Sequence, residues 1–197
     1  MTDPSASDAE DRRAEFEREA IPLMRDAYNL ALRLTRQPEN ARDLVQETYL
    51  RAYRTFANFR HGTNCRAWLF TILYSVFVNR YRKERREPKS LSVEELEERF
   101  HRTLESKSAA DLVSTSDAPA WSDPDVERAV SDLPPKLRTT VLMVDVGELT
   151  YEEAATALGC PVGTVRSRLS RARKALFVTL EEYARRAGYL RNASEEK

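Results

Sequence analysis

The sequence contains little of what disulfide-rich, membrane-spanning or collagen-like proteins require. Among its 197 residues are 2 cysteines and 5 glycines. The two cysteines, Cys65 and Cys160, do not make a disulfide framework, and lone thiols are typical of a reducing cytosol. No run approaches the roughly 18 consecutive apolar residues of a membrane span, and the polar, acidic N-terminus is unlike a secretory signal. We therefore expect a cytoplasmic protein with no membrane span.

Sequence patterns that accompany catalysis are also missing. The chain has no Gly-rich phosphate loop, no nucleophile elbow and no paired catalytic carboxylates. His61 and Cys65 are four residues apart and could share a helix face, but two ligands are too few for a zinc site. The sequence therefore predicts no enzyme, no metal and no cofactor.

Charge is abundant and segregated along the chain. Basic residues number 32 and acidic residues 32, so the formal net charge is +0. Counted by segment, residues 60–86 carry +6 and residues 161–176 carry +5, whereas residues 87–135 carry −7. Two basic segments separated by an acidic one indicate two contact sites for an anionic polymer. A pair of solvated helix faces is the alternative explanation.

Apolar residues recur at steps of three and four, which is the helical period, and no segment alternates as a strand would. Pro22 and Pro38 are placed to begin helices, and Asn58 to Asn64 is a short polar loop. We predict an all-α protein with two small helical domains joined by an acidic linker. The expected divisions are a disordered acidic N-terminus (1–15), a first domain (16–87), a linker with one embedded short helix (88–124), a second domain (125–182) and a C-terminal tail (183–197).

The second domain has the pattern of a helix-turn-helix. Thr150 and Glu153 have capping-box spacing, Gly159 is suited to end that helix, and a new helix begins near Pro161 or Val162. One face of the new helix is apolar. The opposite face carries donors and small residues: Gly163, Ser167, Ser170, Arg171 and Lys174, with Arg166 at its edge. Such a face suits base edges in the major groove, and a solvated basic face is the alternative.

The first basic segment mixes aromatic and basic residues. Phe70, Tyr74, Phe77 and Tyr81 form a stripe at helical spacing, which we expect to be core rather than a base-stacking platform. The polar loop before it, Asn58 to Asn64, has amide and hydroxyl groups that could read the edge of an unstacked base.

Two sets of motifs resemble one bacterial family. The stretches Ala41 to Thr48 (ARDLVQET) and Arg66 to Leu69 (RAWL) resemble region 2 of sigma factors of the extracytoplasmic function (ECF) group, in the sigma-70 family. The stretches Leu133 to Pro135, Tyr151 to Ala155 (YEEAA) and Pro161 to Leu169 (PVGTVRSRL) resemble region 4. The residues around Phe16 to Glu19 and Tyr81 to Lys83 look most like the thiol-oxidative-stress branch, whose partners are zinc-containing anti-sigma factors.

This resemblance implies a protein that binds core RNA polymerase and directs it to promoter DNA, under the control of an anti-sigma factor. The implied polymerase contacts are the clamp helices of the largest subunit and the flap of the second largest. The residues implied for docking on the clamp are Asp43, Gln46, Glu47, Leu50 and Tyr53.

The resemblance also implies two DNA sites. The residues implied for the −10 element are Asn58, Arg60, His61, Thr63, Asn64, Arg66, Arg80 and Lys83. Those implied for the −35 element are Thr164, Arg166, Ser167, Arg168, Ser170, Arg171 and Lys174.

Two readings from other classes stay open on the residues alone. A stand-alone helix-turn-helix repressor would use the second domain but leaves residues 16–86 unexplained. A protein that sequesters a partner between helical domains leaves the basic face of the second domain unexplained.

Overall fold

A computed structural model describes residues 4–84 and 123–190, and all regular structure within these ranges is helical. The all-α prediction is confirmed there. The N-terminal unit consists of α1 (Pro4–Ala20), a 3-10 turn (Ile21–Leu23), α2 (Met24–Thr35), α3 (Pro38–Thr55), a second 3-10 turn (Phe56–Asn58) and α4 (Cys65–Glu84). The predicted short helix of the linker, within 88–104, lies outside the described residues. Nowhere in the two ranges does a helix combine the length and apolar character needed to cross a bilayer.

Helix α1 begins earlier than the sequence analysis expected. Residues 4–15, predicted as disordered, belong to the helix that ends at Ala20. Two interactions support this helix near its C-terminal end. Arg13 and Glu17 form an i,i+4 ion pair of 2.8 Å, and Phe16 is buried at 6% exposure. The prediction missed the helix because a single buried aromatic residue gives no periodic signal within a polar stretch.

Proline and left-handed residues set the boundaries between these helices. Pro38 occupies the first turn of α3, as predicted, where its missing N–H costs nothing. Pro22 lies in the 3-10 turn between α1 and α2. Helix α2 is capped by Arg36, which has φ 56° and donates its backbone N–H to the Leu32 carbonyl.

The C-terminal unit is the predicted helix-turn-helix with two helices before it. It consists of α5 (Pro124–Ser131), α6 (Pro135–Val141), a π-helical turn (Leu142–Val146), α7 (Tyr151–Leu158) and α8 (Val162–Arg186). The capping box of Thr150 and Glu153 is present in both directions, and Gly159 ends α7 with φ 62°. These local predictions are confirmed.

The two units pack against each other along α4 and α7, and their buried side chains form one continuous cluster. Phe70 of α4 lies against Gly147, which follows the π-helical turn. Arg33, whose side chain is 6% exposed, donates to Glu127 of α5 at 3.3 Å. The arrangement therefore combines an apolar contact with charged hydrogen bonds at its edge.

The C-terminal end of α5 is capped from both units. The carbonyl oxygen of Ser131 accepts from Arg36 Nη2 at 2.7 Å and from Arg138 Nη1 at 2.9 Å. Arg36 belongs to the N-terminal unit and Arg138 to the C-terminal unit. Positive charge at a helix C-terminus is favourable because the last carbonyls lack helical partners and the helix dipole is negative there.

Candidate polymerase and nucleic-acid interfaces

The outer face of α3 carries an exposed apolar groove. Leu50 and Tyr53 are 53% and 45% exposed, and Ile21 of the turn before α2 and Met24 at the start of α2 are each 42% exposed. All four line one groove with Gln46. A contiguous apolar surface of this kind marks an interaction site. Sequence reasoning found the α3 members and missed Ile21 and Met24, since these two lie outside the helical pattern of α3.

Asp43 and Glu47 lie on the exposed side of α3, but they are not isolated there. Arg80 of α4 places Nε 2.5 Å from Glu47 Oε2 and donates from Nη2 to the Asp43 carbonyl at 2.8 Å. The structure thus joins a residue predicted for the −10 element to two residues predicted for polymerase. No periodicity within one helix could have indicated this contact between helices.

The predicted base-reading loop projects from the N-terminal unit between the second 3-10 turn and α4. Arg60, His61 and Thr63 are exposed, as is Asn58 at the end of the turn. Gly62 has φ 82°, a conformation that side chains other than glycine rarely adopt. Thr63 donates from its backbone N–H and from Oγ1 to the Arg60 carbonyl, at 3.1 and 2.7 Å. These contacts make a tight turn with its polar side chains outward.

Asn64 is exposed but already has a structural role. Its Oδ1 accepts from the backbone N–H of Ala67 at 3.3 Å. This is the position and geometry of a residue that caps the start of α4, since the first N–H groups of a helix lack helical acceptors. Only its amide nitrogen is left to serve as a donor to a base.

An aromatic cluster lies beneath the loop. Phe56 and Phe59 are buried, with ring centroids 5.6 Å apart, and Trp68 packs on both at 5.9 and 5.0 Å. Phe16 of α1 meets Phe56 edge-on at 5.2 Å. His61 lies over the cluster, 6.0 Å from Phe56 and 5.8 Å from Phe59. The predicted core stripe is confirmed where described, because the side chains of Phe70, Tyr74 and Phe77 are all buried.

The remaining cations predicted for the −10 element differ in their surroundings. Arg66 pairs with Asp26 at 2.7 Å and with Glu148 of the C-terminal unit at 3.6 Å. Lys83 lies on the last turn of α4, and its side chain is outside the described residues. Arg66 would have to exchange carboxylates for phosphates in order to hold a DNA strand.

Helix α8 has the two faces that the helical wheel predicts. Val165, Leu169 and Ala172 are buried at 0%, 2% and 0% exposure, which confirms the core seam. Thr164 is half-buried near the helix start. The residues exposed on the other side are Arg166, Ser167, Ser170, Arg171 and Lys174.

Arg168 does not share that exposed face. Arg168 is only 6% exposed, and its Nη1 lies 3.8 Å from the Cys160 sulfur. Arg168 is therefore too buried for the predicted contact with DNA. Arg168 lies three residues after the buried Val165, about 60° away around the helix, so it borders the core seam.

Helix α8 carries further exposed side chains after the last residue predicted for the −35 element, Lys174. Phe177 and Val178 are 60% and 75% exposed, and they line a shallow groove with Tyr151 and Lys174. Arg173 also lines this groove and pairs with Asp145 at 2.5 Å, and the ion pair raises the pKa of the guanidinium. The predicted −35 residues ended at Lys174, so the sequence analysis missed Phe177 and Val178. Both lie on the polar side of the helical wheel, which could have indicated that they are exposed.

No three His, Cys, Asp or Glu side chains converge as potential metal ligands within the part of the chain that the structure describes.

Comparison with known proteins accounts for both units. Residues 22–87 match the family model for Sigma-70 region 2, and residues 125–176 match that for Sigma-70, region 4. Over 161 residues the chain is 36% identical to the ECF RNA polymerase sigma factor EcfG of Rhodopseudomonas palustris, covering 82% of this chain and 81% of that protein. The chain belongs to the sigma-70 family, in its extracytoplasmic function group.

Other relatives agree with this placement of the sigma factor. It is 32% identical over 183 residues to the RNA polymerase sigma-H factor of Pseudomonas aeruginosa, covering 90% of this chain and 91% of that one. It also resembles the sigma factor RpoE solved in complex with the anti-sigma factor NepR from Bartonella quintana, with a TM-score of 0.63 and 28% identity. That likeness covers 85% of this chain and 97% of the other. Membership of the branch with zinc-containing anti-sigma factors stays a prediction.

Proposed function

We propose that this sigma factor docks on core RNA polymerase through the α3 groove and reads a promoter with two separate surfaces. The observation that carries the proposal is the presence in one chain of an exposed apolar groove on α3 and an exposed basic face on α8. A stand-alone repressor needs the second surface and has no use for the first. The role is a binding role in the cytoplasm, with no catalytic step of its own.

The docking surface is proposed to include Leu50, Tyr53 and Gln46, with Ile21 and Met24 added from the structure. Exposed apolar side chains supply buried area, and the exposed carboxylates of Asp43 and Glu47 on the same helix add negative charge for a basic partner surface. We expect Leu50→Asp to weaken binding to core polymerase at least about tenfold, because a charge at the centre of an apolar interface is left desolvated and unpaired. A matched control is Leu190→Asp, outside the groove.

The −10 surface is proposed to be the loop 59–64 with Asn58, Arg66 and Lys83. The exposed side chains of the loop stand above the rigid aromatic cluster, which is the arrangement that a preformed base pocket needs. Unstacking a base costs a few kcal/mol, so a pocket that is already formed selects which sequence opens. Lys83→Ala should weaken promoter opening on all sequences and lower the salt dependence, as expected for a phosphate contact.

The −35 surface is proposed to be the exposed face of α8, with Arg166, Ser167, Ser170, Arg171 and Lys174. Arginine is suited to guanine, and serine to a base or a phosphate. Arg171→Ala should cost about 1–3 kcal/mol and relax the −35 preference if the contact is bidentate. Arg185→Ala is the matched control, since Arg185 is in the same helix but pairs with Glu181 beyond the recognition surface. Equal −35 profiles for wild type and Arg171→Ala would refute this assignment.

Control by an anti-sigma factor is proposed from the neighbour solved with NepR. The likeness covers 97% of that sigma chain, so both units contribute to it. We expect an anti-sigma protein encoded in the same genome to block binding of core polymerase, which a competition assay with labelled sigma factor would measure.

The deciding experiment is run-off transcription by core polymerase on genomic DNA of the source organism, with and without the protein. New 5′ ends preceded by a shared pair of motifs are the expected result. Binding of free protein to promoter duplex with no redirection of core polymerase would support the repressor instead.

A further inference from the structure

The N-terminal helix reaches the loop that we assign to the −10 element. We propose that Glu15 of α1 positions this loop for base reading by holding His61. The inference rests on the proposed function, and it gives a role to Glu15, which precedes the region 2 family model and lies in the stretch that the sequence analysis expected to be disordered.

The contact itself is short and well placed. His61 Nδ1 lies 2.8 Å from Glu15 Oε1, with side-chain exposures of 59% and 34%. A carboxylate can only accept, so this contact is attractive when Nδ1 carries a proton. Nε2 is the ring nitrogen that remains for a base or a phosphate. Fixing one nitrogen of an imidazole decides which chemistry the other one offers.

The imidazole ring is also held from below. It meets Phe56 and Phe59 edge-on, at interplanar angles of 82° and 83°. Two aromatic contacts and one short contact with a carboxylate together restrict both the position and the rotation of the ring. An exposed side chain with such restriction is pre-organised, and pre-organisation reduces the entropy lost when a ligand binds.

Helix α1 is anchored well enough to act as a support. Phe16, adjacent to Glu15, packs edge-on against Tyr53 and Phe56 at 5.3 and 5.2 Å. Tyr49 donates its hydroxyl to the Ala20 carbonyl at 2.8 Å, which ties the end of α1 to α3. Glu15 therefore extends from a fixed backbone, so its contact transmits position to the loop.

The loop needs such outside support. Its turn contains Gly62 with φ 82° and no atom within 4 Å of the place where a Cβ would be. A glycine in open space adds backbone freedom rather than packing. The contact of His61 with Glu15 joins this turn to α1 and limits that freedom.

The test compares variants of the full-length protein in run-off transcription on a promoter library with a randomised −10 element and a fixed −35 element. Glu15→Ala is expected to lower the preference between the best and the median −10 sequences by about two- to fivefold, the effect of losing one exposed charge-assisted contact. Glu15→Gln, whose amide oxygen still accepts a hydrogen bond, should retain part of the preference. Affinity for core polymerase and the −35 profile should not change.

Glu17→Ala is the matched control. Glu17 is two residues along the same helix, and its partner is Arg13 of that helix rather than the loop. We expect it to behave as wild type.

Three results would overturn the inference. These are a Glu15→Ala profile equal to wild type, an equal loss on all −10 sequences, and a loss of the same size in Glu17→Ala.

Hydrogen exchange of the backbone amides of residues 59–64 in the free protein gives a readout that does not depend on transcription. Faster exchange in Glu15→Ala than in Glu17→Ala is expected, and equal exchange contradicts the positioning role. A wild-type protein that fails to redirect core polymerase refutes the proposed function, whatever the exchange data show.

Discussion

Replacing Gly147 by alanine is expected to destabilise the folded chain, although it adds only one methyl group. A Cβ at this position would lie 2.6 Å from the Met143 carbonyl oxygen and 3.0 Å from Cε2 of Phe70. A backbone oxygen cannot move aside as the end of a flexible side chain can. Phe70 is 1% exposed and packed on its other sides, so it also cannot yield freely.

The magnitude follows from two opposing effects. Overpacking in a well-packed core costs about 1–3 kcal/mol. Alanine also restricts the unfolded chain, which returns about 0.4–1 kcal/mol. We therefore expect a net loss of about 1–2 kcal/mol, equivalent to a few degrees in Tm for a chain of this size.

The assay is urea unfolding followed by circular dichroism, with Gly163→Ala as the control. Gly163 lies in α8 with no atom within 4 Å of an added Cβ, so its replacement should be neutral or stabilising. Phe70→Leu and the double variant complete a cycle that measures coupling across the two units. A Gly147→Ala midpoint equal to wild type would refute the packing argument, and additive effects in the cycle would refute the contact between units.

Three further results follow from local contacts. Thr150→Ala should cost about 1 kcal/mol of unfolding free energy, because it removes the capping box with Glu153. Tyr49→Phe should cost about 0.5–1.5 kcal/mol by thermal unfolding, since it leaves the Ala20 carbonyl without its donor. Burial raises the pKa of Cys65 from 9.0 to about 11, so the unfolded chain ionises first and stability should fall between pH 9 and pH 11. Urea midpoints across this range should decline less steeply in Cys65→Ala, and an unchanged slope would contradict the assignment.

Local signals in the sequence predicted the second unit well. The capping box of Thr150 and Glu153, the left-handed Gly159 and the apolar seam of α8 each depend on residues within one or two turns. Such features are decided by backbone geometry and side-chain spacing, which the sequence contains directly.

Predictions that depended on distant contacts were less complete. Arg66 and Arg80 were both expected to face DNA, and in the structure each is paired with carboxylates from another helix. Arg168 lies inside rather than on the recognition face. The charge of a residue can be read from the sequence, but its partner depends on which helices pack together. The predicted residue roles themselves stay predictions until the variants are measured.

The contact of Arg36 and Arg138 with the Ser131 carbonyl has a consequence for folding during synthesis. During synthesis the N-terminal unit emerges first and can fold before α5 leaves the ribosome. Helix α5 has only eight residues, too short to be stable alone in water. Arg36 would already be in place as a docking point for its last turn. The first half of the protein is thus a template on which the second half completes its first helix.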